Sequence, residues 1–136
     1  MNTLSNLSIL TGRVGLSAIF ILSGIAKLGA GYAGTQGYME VMGVPGALLP
    51  LVIFVEVAGG LAILSGFLTR WAAVGLAVFS IAAAFLFHFQ LADQMQFINF
   101  FKNVAMAGGF LVLAAQGAGA FSMDGWLASR RAKRGA

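Results

Sequence analysis

Four stretches of this chain stay apolar for about the length a membrane demands, and short polar or glycine-rich segments separate them. A hydrocarbon core about 30 Å thick takes roughly 20 helical residues at a rise of about 1.5 Å each. The pattern therefore predicts membrane-spanning helices over 8–28, 48–68, 71–89 and 97–118. Arg13 and Lys27 lie near the two ends of the first span, Glu56 interrupts the second, and Lys102 falls in the opening turns of the fourth.

The connection 29–47 is the longest. It is rich in glycine and closed by Pro45, while Pro50 is tolerable in the first turn of the second helix, where a backbone donor would lack a partner anyway. Within it, Tyr38, Met39, Val41 and Met42 beside Glu40 suggest a short interfacial turn. The connections at 69–70 and 90–96 are brief, which favours two antiparallel hairpins packed as a bundle. The expected fold is all-α and polytopic: a four-transmembrane-helix bundle over residues 1–128, followed by a basic tail at 129–136. Helices one and three open on similar phrases, Leu10-Thr11-Gly12-Arg13 and Leu68-Thr69-Arg70, which hints at a tandem hairpin repeat. Several of the 19 glycines fall inside the spans, as close helix packing requires, with a homodimer face as the alternative use.

Composition turns that pattern into a statement about solvent. The chain is 60% hydrophobic and 9% charged, with a mean hydropathy of +0.92, whereas a soluble domain carries roughly 25% charged residues. Too few charges remain to clothe a surface in water, so the lipid bilayer is its first partner. The net charge of +4 does not point to nucleic acid, because Arg130, Arg131, Lys133 and Arg134 crowd into the tail in the manner of a cytoplasmic flank. Counted with Arg13 and Arg70 they outweigh Lys27 and Lys102 on the other side, so both termini are expected in the cytoplasm and the chain in the bacterial inner membrane. The N-terminus lacks a basic n-region and does not read as a cleaved signal peptide. With no cysteine and one histidine, thiolate metal sites, iron–sulfur clusters and redox thiols are excluded on these residues. No metal and no intrinsic cofactor is expected, and redox chemistry would be borrowed from a partner subunit.

Ionisable groups inside the apolar runs carry the functional signal, since each costs about 2.5–3.5 kcal/mol at a helix centre. Glu56 lies roughly 12 Å inside the outer end of the second span and Lys102 roughly 8 Å inside that of the fourth, counted at helical rise. Their heads are expected to meet. Lys27 and His88 sit nearer the same boundary, and Asn99 and Asn103, four apart, present amides on one face of the fourth helix. Lys27, Glu56, His88, Asn99, Lys102 and Asn103 thus form a candidate outward-facing polar pocket, walled near its mouth by Phe85, Phe87, Phe89, Phe97, Phe100 and Phe101 and suited to a flat amphipathic ligand. Each has a plainer reading as well. Lys27 can snorkel to the headgroups, His88 can be merely interfacial, Arg70 can mark the cytoplasmic side, and Arg13 can do that or contact the bundle. For Glu56 a structural ion pair with Lys102 and a protonatable functional site are both open.

At these residues the chain resembles the DoxX family of small four-helix membrane proteins. The resemblance runs from Arg13 to Trp126. It rests on Phe20, Ser23-Gly24 and Lys27 in the first helix; Glu56, Gly59-Gly60 and Gly66-Phe-Leu-Thr69-Arg70 in the second; Phe87-His88-Phe89; and Gln96 to Asn103 followed by Gly108-Gly109. It implies a membrane subunit tied to quinone-linked oxidation or to thiol-redox assemblies, with Lys27, Glu56, His88, Lys102 and Asn103 as its site and quinone as its ligand. A proton-coupled small-solute transporter and a ligand-free scaffold subunit are the competing readings.

Overall fold

The computed structural model describes residues 1–135. Six helices follow one another: α1 (Thr3–Ala26), α2 (Gly31–Val41), α3 (Leu49–Ser65) entered through a single 3-10 turn at Gly46–Leu48, α4 (Thr69–Phe87), α5 (Gln94–Gln116) and α6 (Met123–Arg134). No strand occurs among the described residues. Four segments, Thr3–Ala26, Gly46–Ser65, Thr69–Phe87 and Gln94–Gln116, are long and apolar enough to cross a membrane. Their outward surfaces fit lipid: Ile19, Leu22, Phe54, Trp71, Val78 and Val112 are exposed.

The spans lie two to five residues from the bounds read in sequence, and local caps explain the shifts. The Asn2 side chain accepts from the Ser5 amide and starts α1 ahead of residue 8, and Asp93 accepts from the Gln96 amide to start α5 ahead of residue 97. Gly66 ends α3 in the left-handed region at φ 70°, with its amide bonded back into the helix. A side chain there would be strained, and its Cβ would also collide with Ser122 and the Arg13 guanidinium.

The connection 29–47 is not an open loop with one interfacial turn. Residues Gly31–Val41 form α2, despite glycines that weaken any isolated helix. Tertiary contacts hold it: Met39 is buried, Tyr38 stacks on Phe87 with ring centroids 5.7 Å apart, and the Gln36 amide donates to the Gly46 carbonyl. The basic tail likewise is the second half of a helix as far as Arg134, since Ser122 caps α6 and its chain begins turning at Met123; Ala136 lies outside the described residues. Trp126 and Arg130 stack on one another along α6, 4.4 Å apart.

Helix α1 packs along α3 and α4 along α5, giving two hairpins that meet through α3 against α4 and, more sparsely, α1 against α5. Phe20, Ile63, Leu76, Ala107, Phe110 and Leu113 lie in the shared core, with Phe20 edge-on to Phe110 at 5.4 Å.

At the end carrying both termini, charged side chains bind the helix ends to one another. Arg13 is fully buried and donates to the carbonyls of Ile63, Leu64, Ala118 and Phe121 at 2.7–2.9 Å. Arg70 donates to the Ala114 and Ala115 carbonyls. The arginine of the first helix of each hairpin thus caps the last turn of its second helix, where the helix dipole favours a cation. This equivalence gives the sequence hint of a tandem repeat a structural meaning. Asp124 of α6 does the converse, accepting from the Leu68 and Thr69 amides at the start of α4, 2.9 Å each. That grip holds Leu68 at φ 47°, a left-handed conformation costly for leucine.

Small residues set the α1–α3 spacing. A Cβ at Gly60 would run into the Ile21 side chain and backbone, and one at Gly24 into Val57, whereas Gly108 faces open space. Gly60→Leu is expected to cost about 1–3 kcal/mol by overpacking, read as a clear fall in the thermal midpoint in detergent. Gly108→Leu should hold or raise that midpoint, since a leucine restores helix propensity of about 1 kcal/mol without a clash.

Candidate functional site

The close approach of α1 and α3 brings three polar side chains together at the end opposite the termini. Lys27, the C-cap of α1, places its ammonium 3.0 Å from Glu56 Oε1 and 2.8 Å from Oε2. It also donates to the Ser23 hydroxyl at 2.6 Å and to the Ser23 carbonyl at 3.3 Å, and that hydroxyl donates to Glu56 Oε1 at 3.3 Å. Glu56 is buried, with 6% of its surface exposed. Its Oε1 carries the hydrogen bonds, while Oε2 touches the ammonium as an ion-pair contact outside hydrogen-bond alignment and has no other partner.

The expected Glu56–Lys102 pair does not form, and Lys27 does not snorkel away. Depth alone allowed either lysine. Adjacency decides it, because α1 lies along α3 whereas α5 lies along α4. Lys102 is exposed and takes part in no ion pair among the described residues. A carboxylate so placed is tolerable in a low-dielectric bundle because a cation and a hydroxyl both reach it; unpaired, it would carry a desolvation penalty of several kcal/mol.

Between the two hairpins, beneath α2, lies a cavity of about 640 Å³. Its walls are largely apolar, from Phe20, Val55, Phe79, Leu86, Phe87 and Met106, and Thr35, Tyr38 and Met39 of α2 close it on one side. Lys27, Glu56, His88, Asn99, Lys102 and Asn103 all line it. The structure thus gathers the six side chains singled out in the sequence around one space, from α1, α3, the end of α4, and α5. His88, the C-cap of α4, shares a hydrogen atom with Gln96 Oε1 through Nδ1 at 2.8 Å, which leaves Nε2 as its uncommitted nitrogen. The Asn103 amide donates to the Asn99 carbonyl at 3.0 Å, so its own carbonyl oxygen stays available as an acceptor. Of the phenylalanines expected at the mouth, Phe87 lines the cavity; Phe85, Phe89, Phe97, Phe100 and Phe101 stack on one another instead.

Sequence reasoning did not see Ser23, which completes the Glu56 cluster, or the α2 residues that close the cavity. The signals for Ser23 were its place one turn before Lys27 and the Ser23-Gly24 pair of the family resemblance, neither of which was read as a site contact. Arg13 and Arg70, read chiefly as topology markers, are also structural caps, and no group of three or more His, Cys, Asp or Glu able to hold a metal occurs among the described residues.

Four helices long enough to cross a bilayer, with an ion pair and a polar-lined cavity between them, define a small multi-pass membrane protein. Residues 8–89 match the family model DoxX. The chain is 50% identical over 124 residues to "Inner membrane protein YqjF" of Escherichia coli (strain K12), covering 91% of this chain and 95% of that protein. It is 37% identical over 123 residues to "Inner membrane protein YphA" of the same organism, covering 85% and 87%. No solved structure matches it. The chain belongs to the DoxX family and is a multi-pass protein of the inner membrane.

Stability measurements discriminate the partner of Glu56. Lys27→Met should destabilise the bundle by about 3–5 kcal/mol by stranding a buried carboxylate, and Lys27→Met with Glu56→Leu should recover most of that loss. Lys102→Met alone should change stability by less than about 0.5 kcal/mol, as for an exposed side chain without partners. A denaturation series in detergent reads all three; equal damage from Lys27→Met and Lys102→Met would break the assignment.

Proposed function

We propose that this chain is a membrane-embedded accessory subunit of a quinone-linked redox assembly, holding a quinone headgroup in the cavity between its hairpins, with both termini in the cytoplasm. The observation that carries the reading is the convergence of Lys27, Glu56, His88, Asn99, Lys102 and Asn103 on one apolar cavity of about 640 Å³. That volume falls within the range of small-molecule sites, and a few convergent polar groups on apolar walls are what orients an amphipathic ring.

The residues present fit such a headgroup. A bound quinone would supply two-electron, two-proton carrier chemistry that this cysteine-free chain has no side chains of its own to perform. The Lys102 ammonium and the Asn99 amide are the donors left over for ring oxygens, while His88, whose Nδ1 donates to Gln96 Oε1, is left with Nε2 as an acceptor for a ring hydroxyl of the reduced form. Glu56, held by Lys27 and Ser23, is the carboxyl placed to give or take a proton at the cavity wall. Phe20, Phe79 and Phe87 present ring surfaces to the same space. Electrons would enter from a partner subunit.

Protein purified gently from membranes is expected to retain quinone extractable with organic solvent, or to bind a short-chain quinone when reconstituted. Glu56→Gln, which keeps the shape and loses the charge, should weaken binding about tenfold with the bundle still folded by circular dichroism. Absence of any binding, or binding indifferent to Glu56→Gln, would remove the reading.

Topology has its own support. Arg13, Arg70 and the basic residues of α6 cluster at one end, against Lys27 and Lys102 at the other, and basic excess favours the cytoplasm. Because the chain has no cysteine, single cysteines report it cleanly. Gln90→Cys in the α4–α5 turn should react in whole cells with a membrane-impermeant maleimide, and Ser129→Cys in α6 only after lysis; the reverse pattern would invert the bundle.

A further inference from the structure

The charges around the cavity do not cancel, and the imbalance narrows what it can hold. The chain has four acidic side chains. Asp124 caps the start of α4, Asp93 caps the start of α5, and Glu40 is exposed at the end of α2 beside Gly46 and does not line the cavity. Glu56 is engaged by Lys27. Among the groups facing the cavity, Lys27 and Glu56 therefore neutralise one another. Lys102 is left as a cation with no carboxylate within ion-pair distance among the described residues, on the wall of a mostly apolar space. Asn99 and Asn103 flank it one position and one turn away on α5.

We infer that the cavity is selective for lipophilic anions, compounds with an ionised oxygen on an apolar ring body, and that Lys102 is the residue that selects them. This rests on the reading of the cavity as a quinone-class site and narrows it: a neutral quinone offers Lys102 a carbonyl, whereas an ionised ring oxygen offers a full countercharge. In a site with apolar walls a charge-assisted contact is shorter and stronger than a neutral one. Lys27 cannot play this part, because Glu56 already supplies its countercharge.

The test compares two probes of nearly the same shape. A hydroxynaphthoquinone with its hydroxyl on the quinone ring, a vinylogous acid that is ionised at neutral pH, and unsubstituted naphthoquinone are titrated against the full chain in nanodiscs of zwitterionic lipid, with empty nanodiscs subtracted for partitioning. The anionic probe is expected to bind about tenfold more tightly than the neutral one. Lys102→Gln should abolish that preference by weakening the anionic probe about tenfold more than the neutral one, while Lys102→Arg, which keeps the charge, should preserve it. Equal affinities in the unmodified protein, or a preference that survives Lys102→Gln, overturn the inference and leave the quinone-class reading standing. Binding of neither probe overturns both, and the circular dichroism of each variant separates a lost site from a lost fold.

Discussion

A helix that ends inside or against a bilayer leaves carbonyls that no water satisfies, and in this protein Arg13 meets that demand at the end of α3 and in the connection that follows α5. Its guanidinium reaches the last turn of α3 and the chain between α5 and α6, so one side chain fixes α1, α3 and the α5–α6 connection in a common frame. An unpaired carbonyl in hydrocarbon costs several kcal/mol, and four carbonyls share this donor. Arg70 repeats the arrangement in the second hairpin, and Asp124 supplies the opposite charge to the one helix start nearby. Because every one of these contacts joins elements distant in sequence, the clasp defines the tertiary fold rather than reinforcing local helices.

Everything at the other end follows from that frame and from the small residues along α1 and α3. With Gly24 and Gly60 letting the two backbones close together, Lys27 arrives on the same level as Glu56 and the pair forms within one hairpin. The second hairpin has no such pair: its cation, Lys102, faces the cavity alone. One hairpin thus presents a neutralised polar cluster and the other an uncompensated charge, with apolar surface between them. That asymmetry, rather than the count of polar groups, gives the cavity chemical direction.

How much of this could be read beforehand depends on which atoms carry each contact. Hydropathy announced the four spans, because lipid acts on side chains and side chains are what a sequence records. The six polar residues of the cavity were legible for the same reason: each is an anomaly in an apolar run. The caps were not, since the partners of Arg13, Arg70 and Asp124 are backbone atoms, and every residue has the same backbone. The pairing of Glu56 with Lys102 rather than Lys27 failed for a geometric reason. Counting residues along a helix gives depth along the membrane normal but says nothing of which helices are neighbours around the bundle. The helix α2 escaped because its glycines argue against a helix locally, while Met39 and the Tyr38–Phe87 stack hold it from outside.

The two ends of the molecule bear on one another energetically. Atoms lining an open space forgo the dispersion contacts that close packing would give them, so a bundle with a cavity of about 640 Å³ at one end needs compensation elsewhere. The arginine clasp provides it where the helix ends meet, and the Phe20–Phe110 core lies between the clasp and the cavity. Fixing the hairpins firmly at one end is what permits them to leave room at the other without collapsing or separating. On this argument the buried arginine and the open site belong to one design: the stability of the first is the condition for the existence of the second.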